Sequence, residues 1–322
     1  MSATLAVPVV DLAPFLRASG EARRAAAREF GRAMEESGFA TIVGHGVPDA
    51  LVRGMYGAAR AFFALPEDEK RRHTPPEQTK ARGYLPLKIE SVAATLDGRT
   101  PPDLCEALVF ASIQRERAGQ GLPNIWPAQP AQLAPTVNAY FDAMLQLART
   151  LMRVSALALE LPEDWFDEVY REPSLTLRFV NYPDQAEEPE PGQLRYGAHH
   201  DYGGLTVLRQ DEAPGGLQVC DREGRWHDVA PHPQAFVINV GDLMSRWTNG
   251  RWRSTLHRVI NPPRALTGSA QRLSMVAFTG PNGATDVVAL PTCVSAQNPP
   301  RYPPVNAQAY VQAKLRASHE PA

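Results

Sequence analysis

The sequence contains only three cysteines, Cys105, Cys220 and Cys293, which lie far apart along the chain. An odd number at this spacing fits neither a disulfide framework nor a CxxC zinc site, and reduced thiols in a cytosol are the simplest interpretation. The N-terminus also lacks a basic stretch followed by a long apolar core, so no signal peptide is predicted. We therefore expect a cytoplasmic protein.

The sequence also lacks a charge excess and long apolar runs. Its formal net charge is −2, without the basic stripe that is typical of nucleic-acid binding. No stretch approaches about 18 consecutive apolar residues, so no membrane span is predicted. Neither a GxGxxG nor a GxxxxGKS/T loop occurs, which argues against the usual phosphate-binding motifs. We expect a small-molecule partner, and neither nucleic acid nor a membrane.

Proline, in contrast, is abundant at 30 residues, and the sequence pattern changes halfway along the chain. The first half is mostly helical in its apolar spacing, whereas the second half has short β-branched or alternating runs separated by Gly, Pro or Asn. That second pattern is typical of an all-β sandwich or barrel. The predicted helices are 21–36, one from Asp49 onward, about 133–160, and 306–316. The predicted strands are 39–43, 174–182, 204–210, 216–220, 235–241, 257–261 and 272–278.

The segment AHHDYGGLTVL, residues 198–208, places two of the eight histidines beside a carboxylate. Residues i and i+2 of a strand share a face, so His199 and Asp201 project together while His200 points the other way. A third ligand must come from another strand, and His257 in STLHRVINP is the best candidate. Two imidazoles and one carboxylate on one face form the facial triad of non-haem Fe(II) oxygenases, which leaves positions open for a cosubstrate and O2.

A second pair of polar side chains shares a strand face in RLSMVAF. Arg272 and Ser274 stand at i and i+2, and an arginine that points into a β core requires an anion, because burying an unpaired charge is costly. Two kinds of anion fit this position. One is the carboxylate of a ligand, held by two parallel hydrogen bonds. The other is a carboxylate of the protein itself, such as Asp242.

The order and spacing of these motifs resemble the isopenicillin-N-synthase-like family of 2-oxoglutarate/Fe(II)-dependent dioxygenases over nearly the whole chain. The N-terminal motifs are VPVVDLAPF, GFATIVGHGVP, FFALPEDEK and RGYLP. The later motifs are NYP, HHDYGGLTVL, NVGDLMSRWTNG, STLHRVINP, RLSMVAF and the closing PPRYPPVNAQAYVQAKL. The resemblance implies an α+β fold whose core is a double-stranded β-helix, or jelly roll, flanked by helices.

The resemblance also implies a role for individual residues. The implied Fe(II) ligands are His199, Asp201 and His257, and the implied residues for the distal carboxylate of 2-oxoglutarate are Arg272, Ser274 and Tyr182. Many plant members of the family carry an asparagine two residues before that tyrosine. This chain has Val180 there and Asn181 one position later, so Asn181 is left outside the predicted site.

The segments that line the substrate cleft in similar proteins contain Arg82, Tyr84 and Glu106. We therefore expect these three residues to contact substrate, and residues 82–113 to form part of a lid. The predicted divisions of the chain, all within one compact unit, are an N-terminal helical and mixed region (1–130), a long helix (131–170), the jelly-roll catalytic core (171–285) and a C-terminal segment with a helix (286–322).

The implied activity is oxidation of an unactivated C–H bond in a small organic metabolite, usually hydroxylation, with Fe(II), 2-oxoglutarate and O2, and with release of succinate and CO2. Two alternatives remain open. The first is a cyclising or desaturating iron oxidase of the isopenicillin N synthase type, because such proteins work without 2-oxoglutarate yet can retain the Arg-x-Ser pair. The second is a jelly-roll binding protein that has lost its metal. The sequence indicates neither the substrate nor the oligomeric state.

Overall fold

A computed structural model of the protein describes residues 7–76, 82–97, 100–185, 187–211, 213, 215–263 and 269–319. The helices are α1 (Ala13–Arg17), α2 (Gly20–Glu36), α3 (Asp49–Phe63), α4 (Glu67–Arg71), α5 (Ala94–Asp97), α6 (Ile113–Arg117), α7 (Leu133–Ala158), α8 (Asp242–Trp247) and α9 (Ala307–His319), with a 3-10 turn at Pro291–Cys293. Within the described residues, no helix is both long enough and apolar enough to cross a membrane.

The strands form two main sheets and one short pair. In chain order they are β1 (Val9–Asp11), β2 (Phe39–Val43), β3 (Gly83–Leu85), β4 (Glu106–Ala111), β5 (Ser174–Tyr182), β6 (Tyr196–His199), β7 (Leu205–Gln210), β8 (Leu217–Cys220), β9 (Trp226–Asp228), β10 (Phe236–Val240), β11 (His257–Val259), β12 (Arg272–Gly280), β13 (Asp286–Val287) and β14 (Val305–Asn306). The large sheet has the order β1-β2-β10-β7-β12-β5-β4-β3, the small sheet has the order β6-β11-β8-β9, and β13 pairs with β14.

Helices cover the outer face of the large sheet. Helix α7 packs against α2 and α3, because its apolar residues recur every three or four positions and form one buried stripe. The stripe includes Val137, Phe141, Met144 and Leu151, each with no solvent exposure. Burying a side chain of this size contributes roughly 1.5–3 kcal/mol, so this layer is a major source of stability.

The inner faces of the two sheets pack against each other and enclose a second core. Val180 and Val237 contribute from the large sheet, and Leu217, Val219 and Val259 contribute from the small sheet. The central strands of the large sheet are therefore covered on both faces, which is why β10 reads FVINV and is buried at every position. Two facing sheets of this kind confirm the predicted jelly-roll core with flanking helices.

The predicted elements and the observed ones agree best where the apolar pattern is long. Helices α2 and α7 lie within two residues of their predicted ends, and the predicted strands from residue 174 onward are all present. The prediction that residues 82–113 form part of a lid is wrong for the two ends of this segment, which are strands β3 and β4. Strands β3 and β4 belong to the large sheet and are buried at every residue, so only their connection lies outside the sheet.

The connection between β3 and β4 is tied to the strand that carries the first predicted metal ligand. The Asp103 carboxylate accepts hydrogen bonds from the backbone N–H of Val92 (2.9 Å) within the connection and of Gly197 (2.8 Å) in β6. The backbone N–H of Leu104 also donates to the Leu194 carbonyl oxygen at 3.0 Å. Asp103 is only 3% exposed, and this burial raises its pKa to about 7. The carboxyl group therefore positions β6 against the β3–β4 connection.

Two successive glycines let the chain after β6 cross closely over the end of β12. The Leu243 N–H donates to the Gly203 carbonyl oxygen at 3.0 Å, and the Gly204 N–H donates to the Thr279 carbonyl oxygen at 2.7 Å. A Cβ atom on Gly203 would lie 2.5 Å from the Thr279 carbonyl oxygen, which belongs to the backbone and cannot move aside cheaply. The GG of the HHDYGGLTVL motif is therefore a packing requirement of this crossing.

The glycine crossing gives a first prediction. Gly203→Ala should lower the free energy of unfolding by about 1–3 kcal/mol, because the added methyl group forces the two backbones apart. Gly57→Ala is the matched control, since a Cβ atom on this exposed glycine of α3 meets no atom within 4 Å. It should raise stability by about 0.5–1 kcal/mol. Denaturant unfolding of both variants checks this, and a Gly203→Ala protein as stable as the wild type would contradict it.

The buried carboxyl of Asp103 gives a second prediction. A pKa raised on folding means that the group favours the folded state at low pH and loses this contribution as pH rises through the folded-state pKa. The unfolding free energy of the wild type minus that of Asp103→Asn should therefore fall between about pH 4 and pH 7, by at most about 1.4 kcal/mol per pH unit, and then level off. Denaturant unfolding at a series of pH values measures the difference, and a value that rises with pH would exclude this role.

Candidate active site

The three predicted metal ligands lie together at one end of the space between the sheets. Strands β6 and β11 pair antiparallel with His199 directly opposite His257, and the two ring centroids are 4.2 Å apart. Asp201 follows two residues after His199. The candidate ligand atoms of the three side chains all lie within 4.8 Å of one another, and all three residues are buried. A shared metal ion would therefore have to bridge at most 4.8 Å between any two of these ligand atoms.

Backbone carbonyl groups orient both imidazole rings in the same way. Nδ1 of His199 lies 2.9 Å from the Gly197 carbonyl oxygen, and Nδ1 of His257 lies 3.0 Å from the Thr255 carbonyl oxygen. A carbonyl oxygen only accepts, so Nδ1 carries the proton and Nε2 keeps its lone pair. The Nε2 atoms of His199 and His257 lie 3.6 Å and 3.8 Å from Oδ1 of Asp201. Both lone pairs are thus available next to the carboxylate, as metal binding requires.

Two residues of the large sheet hold the Asp201 carboxylate. Its Oδ2 atom accepts hydrogen bonds from Thr206 Oγ1 (2.5 Å) on β7 and from Asn239 Nδ2 (2.6 Å) on β10. These donors face each other in the β7–β10 pairing. They occupy one carboxylate oxygen and leave Oδ1 turned toward the imidazoles. Sequence reasoning missed both residues, because a single Thr or Asn on a distant strand has no spacing signal that links it to Asp201.

The surroundings hold His199 and Asp201 in their metal-binding protonation states. Burial, and then the neighbouring His257, lower the pKa of His199, so its imidazole is neutral. Burial alone would raise the pKa of Asp201, but the two imidazoles and the bonds from Thr206 and Asn239 outweigh it and lower the pKa. A neutral imidazole and an ionised carboxylate are the forms that bind a metal ion.

The second predicted pair lies in the same space. Arg272 and Ser274 are 1% and 2% exposed, and Arg272 lies opposite Tyr182 in the β5–β12 pairing. The guanidinium is 5.0 Å from the Tyr182 ring centroid, and its Nη2 donates to Gln210 Oε1 at 3.1 Å. Within the described part of the chain, Arg272 Nη1 and Ser274 Oγ have no hydrogen-bond partner. Buried donors without partners are rare, and a carboxylate would satisfy both.

The Asp242 carboxylate does not serve as the anion for Arg272. It accepts a hydrogen bond from the Tyr310 hydroxyl at 3.1 Å and forms an ion pair with Lys314 Nζ at 3.2 Å. The protein-carboxylate alternative in the form of Asp242 is therefore wrong, and the donors of Arg272 and Ser274 fit the carboxylate of a ligand.

A second buried arginine, which sequence reasoning missed, lies beside this anion site. Arg195 is 1% exposed and its guanidinium is 6.0 Å from the Tyr182 ring centroid, on which Arg272 also packs. Its Nη2 donates to the Ala270 carbonyl oxygen at 2.6 Å. Burial and the charge of Arg272 both lower its pKa, and the nearby carboxylates of Asp184 and Asp211 only partly offset this. Only the fold reveals this residue, since it stands alone before YGAHHD in the sequence.

One cavity connects the ligand cluster and the anion site. It lies between the two sheets and is lined by residues of both. The metal-ligand residues and the Arg272, Ser274 and Tyr182 group both line it. Its walls also include Arg178, Tyr196 and Phe278.

Two of the three predicted substrate residues form a separate buried network. The Glu106 carboxylate accepts hydrogen bonds from the Tyr84 hydroxyl (2.5 Å), from Lys70 Nζ (2.7 Å) and from Asn181 Nδ2 (2.8 Å). The cavity walls found among the described residues include neither these residues nor Arg82. The predicted substrate role of Arg82, Tyr84 and Glu106 stays a prediction, without support from the cavity lining.

Two family descriptions match this chain. The description "non-haem dioxygenase in morphine synthesis N-terminal" matches residues 7–129, and "2OG-Fe(II) oxygenase superfamily" matches residues 173–281. The second match contains the ligand cluster, the anion site and most of the cavity. The two matches together cover most of the chain.

Curated proteins and solved structures are similar over nearly the full length. The 2-oxoglutarate-Fe(II) type oxidoreductase hxnY of Emericella nidulans is 34% identical, over 98% of this chain and 91% of that protein. Homoarginine-6-hydroxylase 2-ODD-C23 of Glycine max is 30% identical, over 89% of this chain and 88% of that protein. The crystal structure of a Neurospora crassa protein in complex with alpha-KG and thymine superimposes with a TM-score of 0.86 at 28% identity, over 96% of each chain.

These similarities confirm the predicted jelly-roll fold and the requirement for Fe(II), 2-oxoglutarate and O2. They agree with the two features that the cavity joins, a His-Asp-His cluster and an unsatisfied anion site. The chain therefore belongs to the 2OG-Fe(II) oxygenase superfamily and is a 2-oxoglutarate-dependent non-haem iron dioxygenase.

Proposed function

We propose that this dioxygenase hydroxylates a C–H bond of a small organic molecule in the cavity between the two sheets. The proposed iron ligands are His199, Asp201 and His257, and the proposed residues for the distal carboxylate of 2-oxoglutarate are Arg272, Ser274 and Tyr182. The observation that carries the proposal is the pair of buried donors without partners, Arg272 Nη1 and Ser274 Oγ, in the same cavity as three converging ligand atoms.

The chemistry that the bound iron supplies is activation of O2 at the expense of 2-oxoglutarate, which leaves as succinate and CO2. The residues of this chain bind and orient the participants. The fixed Nδ1 tautomers present Nε2 of both histidines, and the bonds from Thr206 and Asn239 direct Asp201 Oδ1 to the same point. Arg272 neutralises the distal carboxylate, while the aliphatic walls exclude water from the reacting centre.

A small organic substrate is supported by the position of the cavity between the two sheets and by two structural neighbours. Two structures of the Neurospora crassa protein are complexes with thymine and with 5-formyluracil, each together with alpha-KG. The cavity is enclosed by residues of both sheets, and a site of this kind suits a small molecule rather than a folded protein segment. The predicted cytoplasmic location and the predicted divisions of the chain remain predictions.

The ligand assignment gives a third prediction. His199→Ala and His257→Ala should each reduce 2-oxoglutarate turnover to below about 1% of wild type, because two ligands do not hold the iron in an open, reactive geometry. His200→Ala is the matched control, because the neighbouring ring points away from the cluster and does not line the cavity. The measurement is succinate formation with Fe(II), ascorbate and 2-oxoglutarate. Full turnover by either ligand variant would refute the assignment.

The anion site gives a fourth prediction. Arg272→Gln should raise KM for 2-oxoglutarate by roughly 30-fold to 1000-fold, because removing one partner of a buried charge pair costs about 2–4 kcal/mol. Arg272→Lys keeps the charge but loses the two-pronged geometry, so its KM should lie between those of Gln and wild type.

The same variants separate the cosubstrate-dependent enzyme from the iron oxidase alternative. The readout is labelled CO2 released from 2-oxoglutarate, with iron affinity measured separately to show that the ligand cluster is intact. If the wild type oxidises its substrate without releasing CO2 from 2-oxoglutarate, or if KM is the same in all three proteins, the proposed role of Arg272 fails.

A further inference from the structure

One residue of the cavity wall, Arg178, forms a largely buried ion pair with Glu90. Arg178 lies on β5, two and four residues before the cavity residues Val180 and Tyr182, and therefore shares their face. Its Nη1 donates to Glu90 Oε1 at 3.1 Å, and its Nη2 pairs with Glu90 Oε2. The two side chains are only 12% and 18% exposed.

The guanidinium of Arg178 is charged and its charge is balanced. Burial disfavours the cation, but Glu90 and Tyr196 outweigh this effect and raise the pKa of Arg178 above its ordinary value. Each Glu90 oxygen faces one terminal nitrogen of the guanidinium. The pair therefore brings no net charge to this part of the cavity.

The other charges that line the cavity would balance as well once the site is loaded. The two positive charges of Fe(II) would be offset by the Asp201 carboxylate and the nearer carboxylate of 2-oxoglutarate, and the charge of Arg272 by the distal carboxylate. Arg195 is not among the residues that line the cavity, and the carboxylates of Asp184 and Asp211 offset part of its charge. A charged substrate would thus add an unpaired charge to a buried space, at a cost of several kcal/mol. This accounting favours an uncharged substrate.

One donor of Arg178 is left over. Within the described residues its Nε has no hydrogen-bond partner and is buried. An unsatisfied buried donor costs about 1–3 kcal/mol, which a carbonyl oxygen of a bound molecule would recover without adding charge. Aromatic rings stand near this position. The Tyr196 ring centroid is 5.5 Å from the guanidinium and 4.8 Å from the His199 ring, and Phe278 also lines the cavity.

We propose that Arg178, held by Glu90, selects the substrate, and that the substrate is a small, flat, uncharged molecule that presents a carbonyl-type acceptor to Arg178 Nε. The inference rests on the proposed function, because it places the substrate in the same cavity beside the iron. Flat rings suit this space, since Tyr196 and Phe278 offer aromatic surfaces against which a ring packs favourably.

The test uses three probes of nearly the same shape that differ in charge: benzamide, benzoate and benzamidinium. The full-length protein is loaded anaerobically with Fe(II) and 2-oxoglutarate, and formation of the visible charge-transfer band is recorded first. Binding of each probe is then titrated by calorimetry. We expect benzamide to bind at least about tenfold more tightly than either charged probe, a difference that corresponds to about 1.4 kcal/mol.

Single substitutions should shift the preference in opposite directions. Glu90→Gln leaves the Arg178 charge unbalanced, so benzoate should become the preferred probe. Arg178→Gln leaves the Glu90 charge unbalanced, so benzamidinium should become preferred. The double variant removes both charges and should prefer benzamide again, with weaker binding than the wild type. A merely structural role of the pair would not produce two shifts of opposite sign.

An exposed ion pair provides the matched control. Arg153 and Asp167 form a pair whose side chains are 49% and 38% exposed, and Arg153→Gln and Asp167→Asn make comparable changes there. Neither variant should alter the order of probe binding, because solvent screens the change in charge. A shift of the same size at this remote pair would overturn the assignment to Arg178 and Glu90.

The outcomes separate this inference from the proposed function. Absence of the charge-transfer band in the wild type overturns the proposed function and this inference with it. A normal band combined with a preference for benzoate or benzamidinium, or with no binding of any probe at millimolar concentration, overturns this inference alone. If a single variant loses the band, the comparison is made between the wild type and the double variant. A preference for benzamide in both proteins supports the proposal. A preference for a charged probe in either protein overturns it.

Discussion

The carboxylate of Asp201 interacts with side chains from both sheets of the jelly roll. Its Oδ2 is bound by Thr206 and Asn239 of the large sheet, and its Oδ1 faces His199 and His257 of the small sheet. A buried carboxylate is costly unless its charge is paired and its oxygens are bonded. The fold meets one half of this requirement with the two donors, and under the proposed ligand assignment a metal ion shared with the imidazoles would meet the other half.

The same principle organises the rest of the cavity. Each charged group in its walls has either a partner from the protein or a donor that fits a ligand. Arg178 has Glu90, whereas Arg272 has a neutral contact with Gln210 and a free Nη1 among the described residues. This difference distinguishes the position that receives an anion from the position that is already neutral.

The sequence predicts the parts of this arrangement that depend on local spacing. His199 with Asp201, and Arg272 with Ser274, each lie two residues apart on a strand, and the alternation of side chains places each pair on one face. The resemblance of motifs in fixed order supplied the chain-wide context, including His257 and Tyr182. The long apolar stripes likewise predicted α2 and α7 almost to the residue.

The parts that could not be predicted depend on contacts between residues far apart in the chain. Thr206 and Asn239 reach Asp201 from separate strands, and Glu90 reaches Arg178 across 88 positions. The sequence did not predict the position of Glu106 in the large sheet either. The apolar run that begins after this residue is short, and it is as compatible with a loop as with a strand. Pairing between distant strands sets these contacts, and no local pattern records it.

The central claim is that the two sheets jointly form one iron site with an anion pocket beside it. A crystal structure of the protein grown anaerobically with Fe(II) and 2-oxoglutarate tests this most directly. The account predicts one metal ion bonded to Nε2 of His199 and His257 and to an oxygen of Asp201, with the distal carboxylate of 2-oxoglutarate on Arg272 and Ser274. A metal ion bound elsewhere, or a cosubstrate that leaves Arg272 without contact, would contradict it.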